Sequence, residues 1–432
     1  MELTGEKVSN TAPRSRINIR AWVSQIPLLA WLIGVLVAVC LELAIGTPLA
    51  RGLGLPKVPV LFGFVTILKK PLLIPSTFLY LALIYLLPIG LIAKIGAAAF
   101  NRLAARLVDL SAILSILIHV ALLYLALHLW SGMSDYRVLV VKLMLIAVMV
   151  TLSLNVINGY MGEFSCSHPG FMALGAYMAS VFTVSLFAND KIFGAALLPP
   201  AIGPFFFPIA LFLGGLVAAI GALAVAIPSF RTRGDYLAII SLAFMFIVKS
   251  LIENLEIVGG PRGLSSQPDW ANLPTVFLTT VICIWVINNF VRSTLGKALN
   301  AVRDNEMAAD AMTVNTRRTK ITAFLFAAFW AGVAGGLFAH VLRYVNPAMF
   351  SIQKLAEVLA MVYFGGLNSV YGAIVGATSI SLLGEALRPL EIFKWIIIPL
   401  LLILVMIFRP TGLIAFKEFD VKQLIQPKKR TP

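Results

Sequence analysis

The sequence is poor in charged residues. Only 12% of its 432 residues carry a charged side chain, whereas 60% are hydrophobic. Soluble globular proteins carry about 25% charged residues. So many apolar side chains do not fit inside one water-soluble core, and lipid is the solvent that this composition predicts. We therefore interpret the chain as all-α, a polytopic helical membrane protein.

Cysteine is also scarce, and motifs for covalent chemistry are missing. Cys40, Cys166 and Cys283 are odd in number and far apart, which predicts neither a disulfide framework nor a metal site. The sequence has no phosphate-binding G-x-x-x-x-G-K-[ST] loop, no H-E-x-x-H and no G-x-S-x-G. We therefore expect no catalytic residue, no metal and no cofactor, and any ATP hydrolysis must take place on another subunit.

The net charge of +15 invites a nucleic-acid interpretation, which the distribution of the charges argues against. The basic residues lie between hydrophobic runs, where they orient a chain in the bilayer. No RNP pattern, zinc-finger spacing or basic helix face accompanies them, so we expect no nucleic-acid partner.

Long apolar runs predict roughly ten to twelve membrane segments with Gly-broken helices. A helix needs about 20 residues to cross the hydrocarbon. Runs of this kind cover approximately 24–46, 72–93, 110–130, 138–157, 169–187, 205–228, 236–254, 274–292, 320–341, 354–366, 370–388 and 394–409.

Lysine and arginine predict the orientation of these segments. Basic residues concentrate in both tails and in alternate loops, which places both termini in the cytoplasm. The loop 47–71 disagrees, and its "VPVLFGFVTIL" run is expected to dip into the membrane interface. We divide the chain into a cytosolic tail (1–23), an N-terminal extension of about three membrane helices (24–135), a core (136–410) and a basic cytosolic tail (411–432).

The segment 292–320 is polar and rich in charged residues, although hydrophobic runs flank it on both sides. Leu295, Leu299 and Val302 recur at helical spacing and predict one amphipathic helix. Asn305 is a candidate cap for a second amphipathic helix, 306–312, whose apolar residues are Met307, Ala308, Ala311 and Met312. The pattern alone suits a solvated loop held by lipid headgroups as well as a docking surface for a soluble partner.

Several motifs of this chain resemble those of permeases in branched-chain amino acid ABC importers. The segment "TLGKALNAVRDNEMAADAMTVNTRRTKITAF" resembles that family's cytoplasmic coupling loop, and the matching residues are Gly296, Ala301, Arg303, Asp304, Glu306, Ala308 and Ala309. "LNVINGYMGEFSCSHPGFMALGAY", "RTRGDYLAIISLAF", "VGGPRGLS" and "YFGGLNSVYGAIVGA" resemble four further family motifs, in family order, between about residues 145 and 410. The first has Ser167 where the family frequently has glycine. The helices before residue 130 resemble the longer of the two permease types, often called LivM.

The resemblance implies an assembly. Such a permease forms a heterodimer with a second, shorter permease. Two cytosolic ABC ATPase subunits dock beneath the pair, and a periplasmic substrate-binding protein delivers substrate from outside. The implied activity is import of leucine, isoleucine and valine across the bacterial inner membrane, and urea, amides or other amino acids are the alternative substrates within the family.

Two glycine-rich breaks interrupt the predicted helices without adding charge. Irregular backbone at membrane depth survives only where it faces protein or a watery cavity, and paired broken helices often mark a transport site. Tight helix packing explains such glycines equally well, and we favour that explanation for "AGVAGGLFAH" and "GGLVAAIGAL". The candidates for lining a substrate path are Asn155, Asn158, Gly159, Glu163, Gly365, Gly366, Asn368 and Ser369.

Six ionisable residues fall inside predicted spans, where they are costly. They are Glu42, Lys142, Lys249, Glu253, Glu357 and Glu385. We interpret them as structural, with Lys249 and Glu253 pairing across one helical turn. A self-contained ion-coupled transporter is the competing function, because it needs such a residue for coupling. It does not need the docking surface at 292–320. A membrane-embedded enzyme has no support in paired carboxylates, an activated nucleophile or a metal cluster.

Overall fold

The structure is a computed structural model, which describes residues 26–55, 58–59, 70–190, 192–230, 236–409 and 411–426. Its α-helices, in chain order, are α1 Leu28–Gly52, α2 Ile74–Leu81, α3 Leu87–Ile95, α4 Ala97–Leu110, α5 Ala112–Ser131, α6 Asp135–Asn155, α7 His168–Phe187, α8 Gly203–Ser229, α9 Tyr236–Asn254, α10 Leu273–Arg292, α11 Thr294–Asp304, α12 Glu306–Ala311, α13 Thr316–Leu342, α14 Ile352–Gly365, α15 Val370–Ala386, α16 Glu391–Phe408 and α17 Val421–Ile425.

Within the described residues, short irregular elements join these helices. Five-residue and six-residue π-helical turns follow α2 and α6, at Ala82–Leu86 and Val156–Met161. The strands β1 (Leu264–Ser265) and β2 (Tyr344–Val345) pair antiparallel, with Leu264 opposite Val345. Short 3₁₀ turns occupy Pro71–Leu73, Pro200–Ile202, Glu256–Val258, Gly260–Arg262, Pro347–Phe350 and Arg388–Leu390.

The described residues contain nine helical stretches that are long and apolar enough to cross a membrane. Two shorter apolar helices, Val370–Ala386 and Ile396–Phe408, accompany them. The predicted all-α, polytopic fold is therefore confirmed. The helix predicted over 138–157 is longer than expected, because the π-helical turn extends it to Asp135–Met161.

The chain forms two compact units. The first comprises Met1–Gly46, Leu81–Ala126 and Asp420–Pro432, and the second comprises Thr47–Tyr80 and Leu127–Phe419, so far as these ranges are described. In the first unit, Trp31 and Phe100 pack against a small buried cluster of Ile26, Ala30 and Ala93. The predicted domain boundaries at 23, 135 and 410 stay predictions, and the tail 1–23 and most of the run 58–68 lie outside the described residues.

Glycine contacts hold the second unit together at its centre. A Cβ on Gly175 of α7 would lie 2.1 Å from the carbonyl oxygen of Gly332 on α13, and one on Gly214 of α8 would lie 2.7 Å from the carbonyl oxygen of Gly175. Helix backbones approach this closely only where side chains are missing. The packing role predicted for "AGVAGGLFAH" and "GGLVAAIGAL" is confirmed. The predicted pair Lys249–Glu253 is confirmed as well, with a nitrogen–oxygen distance of 3.7 Å.

Helices α7 and α13 run in the same direction. Gly175 contacts Gly332, Ala179 contacts Gly336, and Thr183 forms a hydrogen bond with His340. In each pair the two residues are 157 positions apart in the chain. On this register His168, the first residue of α7, is level with residue 325 of α13. At 1.5 Å per residue, α7 therefore begins about 14 Å along α13 from the first residue of that helix. The chain before α7 must enter the helix bundle to reach this starting point.

Candidate functional site

The first glycine-rich break turns the chain back into the bundle. The π-helical turn Val156–Met161 ends at Gly162, whose φ of 78° is a left-handed conformation suited to glycine. The segment 162–167 then runs back along α6, since the His168 ring nitrogen Nε2 lies 3.0 Å from Ser153 Oγ. Ser153 lies eight residues before Met161, or about 12 Å along the helix. Residues 165–167 of this irregular backbone are buried among neighbouring helices, whereas Gly162 and Phe164 are exposed.

Side chains from those helices satisfy this irregular backbone. The amide of Ser165 donates to Asn158 Oδ1 at 3.2 Å, and the amide of Cys166 donates to Ser241 Oγ at 2.8 Å. Such partners are what a non-helical backbone needs at membrane depth. Burial raises the pKa of the Cys166 thiol, and its hydrogen bond with Ser241 opposes this effect.

The second break lies between α14 and α15. Gly366 has a φ of 125°, and a Cβ on Gly365 would lie 2.0 Å from the carbonyl oxygen of Gly372. The chain after α16 pairs with this break, because Ile414 N donates to Gly365 O at 2.8 Å. Ser369 caps α15 and also donates its hydroxyl to Lys417 O at 3.1 Å.

Asn155 joins the two breaks. Its amide nitrogen donates to the carbonyl oxygen of Ser369 at 2.9 Å, and its amide oxygen accepts from the backbone nitrogen of Asn368 at 3.2 Å. Gly159 keeps this contact possible, because a Cβ there would lie 2.0 Å from Asn155 Oδ1 and 2.5 Å from Asn368 N. The breaks are therefore one connected structure, although more than 200 residues separate them in the chain.

The segment 292–320 contains the two short helices that the sequence predicts. In α11, Leu299 and Val302 are buried on one face. Asn305 caps α12 by accepting from the amide of Ala308 at 3.0 Å. The second helix differs from the prediction in one respect: its buried residue is Ala309, whereas Met307 and Met312 are 78% and 76% exposed.

Arg303 connects α11 to the first break and to the chain segment that pairs with the second break. Its guanidinium nitrogen Nη1 donates to the carbonyl oxygen of Gly159 at 3.4 Å, and the guanidinium lies 5.3 Å from the ring centre of Phe416. A Cβ on Gly162 would lie only 2.3 Å from Arg303 Cγ, so this glycine makes room for the arginine. Asp304 holds the other edge of the guanidinium at 2.8 Å.

Lys320 connects α12 and α13 to the first break. Its ammonium nitrogen lies 2.7 Å from a carboxylate oxygen of Glu163 and 2.8 Å from one of Glu306. The lysine is buried, whereas the side chain of Glu306 is half exposed. A cation with two carboxylate partners is strongly held, since charge-assisted bonds are roughly twice as strong as neutral ones.

The predicted coupling residues divide into two groups. Gly296, Arg303, Glu306 and Ala309 face or contact the rest of the second unit, and a Cβ on Gly296 would lie 2.1 Å from Val291 O. Ala301, Asp304 and Ala308 are exposed. Together with Met307 and Met312 they form an exposed surface, which we name the α11–α12 surface.

All eight predicted path residues lie at or between the two breaks. Asn155, Asn158, Gly159, Gly365, Gly366 and Ser369 are buried, and Glu163 and Asn368 are partly buried. A cavity of about 380 Å³ opens beside them, lined by Tyr160, Asn288, Lys297, Asn300 and Asn368. The role of these residues in lining a substrate path stays a prediction.

Sequence reasoning missed the roles of Lys320, Ser153 and His168 in this site. Lys320 looked like one more basic loop residue, and its two partners lie 157 and 14 residues away in the chain. Of the "RTRGDY" motif, Arg233, Gly234 and Asp235 lie outside the described residues, and Tyr236 begins α9.

Comparison with known proteins agrees with this architecture. Residues 136–408 match the family model described as branched-chain amino acid transport system / permease component. The chain is 32% identical to the high-affinity branched-chain amino acid transport system permease protein LivM of Escherichia coli, over 73% of this chain and 78% of the relative. It is 31% identical to the corresponding LivM of Salmonella typhimurium over the same shares.

A second type of relative also matches. The chain is 25% identical to the permease protein LivH of Salmonella typhimurium over 48% of this chain and 66% of that protein. No solved structure matches the chain. The family model covers more than half of the sequence, including both breaks and the segment between α10 and α13, and the chain therefore belongs to the permease family of branched-chain amino acid transport systems.

Proposed function

We propose that this chain is the membrane-spanning permease subunit of an ATP-driven importer for branched-chain amino acids. Its family and its relatives support the transport class and the substrate class. The observation that carries the mechanism is the direct connection of the segment 292–320 to the first helix break through Arg303 and Lys320. A permease moved by an external ATPase needs such a connection between its docking surface and its path.

The α11–α12 surface suits a soluble partner. Met307 and Met312 are large apolar side chains that are exposed outside the candidate spans. Methionine adapts its shape to an opposing surface, and exposed apolar patches with polar rims mark interaction sites. We infer that two ABC ATPase subunits dock on the permease pair, one of them on this surface, and hydrolyse the ATP.

The partners on the remaining faces follow from family resemblance. The chain pairs with a second, shorter permease, and a periplasmic binding protein delivers substrate on the opposite side. The excess of lysine and arginine in the tails and alternate loops supports a cytoplasmic location of both termini in a bacterium. The core 136–410 forms the path, and 24–135 is an added membrane extension.

The mechanism that we propose is a rigid-body movement. Closure of the ATPases displaces α11 and α12, and Arg303 and Lys320 carry this displacement to Gly159 and Glu163. Asn155 carries it to the second break. The breaks then open to alternate sides of the membrane, with ATP shifting the population between the two states.

Replacing Arg303 and Glu306 with alanine tests this coupling. In the reconstituted complex of all subunits, we expect normal membrane insertion, loss of substrate-stimulated ATPase activity and loss of leucine uptake. Unimpaired uptake would refute the docking role. Uptake driven by an ion gradient without ATPase subunits would instead support an ion-coupled carrier, and uptake of urea without leucine would reassign the substrate.

A further inference from the structure

A second cavity lies in the core, away from the breaks. It has a volume of about 150 Å³, and α6, α7, α13, α14 and α15 contribute to its walls. One wall is apolar, with Val140, Met144, Val150, Phe338 and Met361 among its residues. Lys354, Glu357 and Glu385 line it as well. Three charged side chains in one cavity of a membrane protein mark a functional site, because such groups are costly there.

Both signs of charge are held in fixed positions. Lys354 Nζ lies 3.1 Å from Glu357 Oε2 and 5.3 Å from the ring centre of Phe338. Glu385 accepts hydrogen bonds from the Tyr136 hydroxyl at 2.8 Å and from Arg388 at 2.9 Å. The side chains of Lys354, Glu357 and Glu385 are between 21% and 25% exposed, so a solute in the cavity can reach them.

The cavity lies at the opposite end of its helices from the coupling segment. Lys354 is in the first turn of α14 and Glu385 in the last turn of α15, whereas the second break lies where α14 ends and α15 begins. Val140 lies near the start of α6, far from the π-helical turn that ends it. The cavity and the breaks are thus two separate sites along the same helices.

On α14, Met361 lies between the charged residues of the cavity and the second break. Met172 and Met361 line the cavity, and Thr151 Oγ1 donates to Met361 Sδ at 3.4 Å. Asn155 and Ser153 follow within one turn of Thr151 on α6, and they belong to the break structure. Beyond Met361, the next residues along α6 and α14 therefore belong to the breaks.

We propose that this cavity holds the transported amino acid as a zwitterion before it reaches the breaks. Lys354 binds the carboxylate, Glu357 and Glu385 bind the ammonium group, and the apolar wall takes the aliphatic side chain. An apolar cavity of about 150 Å³ accommodates a molecule such as benzene, so it admits a branched aliphatic group. This assignment rests on the proposed function and identifies residues that bind the transported amino acid.

The test uses the complete complex with its second permease, ATPases and binding protein in proteoliposomes. Lys354→Met and Glu385→Gln are expected to lower uptake of labelled leucine at least about tenfold, because the first removes the partner of the substrate carboxylate and the second removes one of the two partners of its ammonium group. Lys249→Met is the matched control, since it removes another lysine that pairs within a membrane helix. It is expected to retain uptake within about twofold of the wild type.

A charge exchange separates substrate binding from a structural ion pair. The double variant Lys354→Glu/Glu357→Lys restores a pair but moves the positive charge, so we expect uptake to stay low at normal membrane abundance. Restored uptake, or single variants that behave like Lys249→Met, overturns the inference while the wild type still transports leucine. A wild-type complex that transports no branched-chain amino acid overturns the proposed function instead.

Discussion

The ammonium group of Lys320 bridges the carboxylates of Glu163 and Glu306, at 2.7 and 2.8 Å. Glu163 belongs to the first helix break and Glu306 begins the helix α12. One buried cation therefore joins the proposed path to the proposed docking surface. Because Arg303 makes a second, separate contact with the same break, a displacement of α11 and α12 reaches the break through two side chains.

Removal of this cation is expected to uncouple the transporter. Lys320→Met leaves two carboxylates facing each other without a partner. The α12 helix then loses its hold on the break, so we expect basal ATPase activity to persist while substrate-dependent stimulation and leucine uptake fall at least about tenfold. Lys249→Met serves as the control in the same assay. Full stimulation in the Lys320 variant would mean that the bridge transmits nothing.

Substitution of Gly162 tests the fit of Arg303 against the first break. Gly162→Ala places a Cβ 2.3 Å from Arg303 Cγ at a φ of 78°. We expect it to destabilise the protein by about 1–3 kcal/mol. Gly90→Ala is the matched control, because nothing lies within 4 Å of its Cβ and its helix favours alanine by up to about 1 kcal/mol. The two variants are compared by their melting temperatures in detergent. Equal melting temperatures would contradict the close contact between Gly162 and Arg303.

Asn155 is expected to matter for stability because it is buried and bonded at both ends. Asn155→Ala leaves the backbone oxygen of Ser369 and the backbone nitrogen of Asn368 without their partner, at a cost of about 1–3 kcal/mol for each buried group. Asn254→Ala removes an exposed amide that donates to Ser250 in its own helix, and it should change stability by less than about 0.5 kcal/mol. Unfolding in increasing denaturant measures the free energy of unfolding of both variants. An unchanged value for Asn155→Ala would contradict the connection between the two breaks.

The thiol of Cys166 gives a pH-dependent test of the buried segment 165–167. Burial raises its pKa, so at pH 7 to 8 the reactive thiolate is scarcer than in a free cysteine, and its fraction grows as the pH rises. In a Cys40→Ser/Cys283→Ser background we expect slow maleimide labelling that accelerates about tenfold per pH unit. Labelling as fast as that of free cysteine at pH 7 would contradict the burial of this segment.

Local patterns in the sequence predicted much of this structure. Run length and hydropathy located the long helices, helical spacing placed Leu299 and Val302 on one buried face, and the side chain of Asn305 identified the start of α12. The small residues around Gly332 predicted close packing, which the structure has. In each case the physical cause acts within a few turns of the chain.

Features that depend on distant residues could not be predicted in this way. The inward start of α7 follows from its register against α13, and the partners of Asn155 and Lys320 lie 214 and 157 residues away. Glu357 and Glu385 were interpreted as structural because the sequence does not show that Lys354 and an apolar wall share one cavity with them. Met307 and Met312 looked like an inward face, although α12 is too short to bury more than Ala309.

The most direct measurement is water accessibility at the two breaks in different nucleotide states. Single cysteines replace Asn158 and Asn368 in a background whose native cysteines are serine, within the complete complex. We expect labelling by a water-soluble maleimide to change at both positions between the nucleotide-free and the ATP-trapped complex. Constant labelling at both positions, in a complex that still imports leucine, would contradict it.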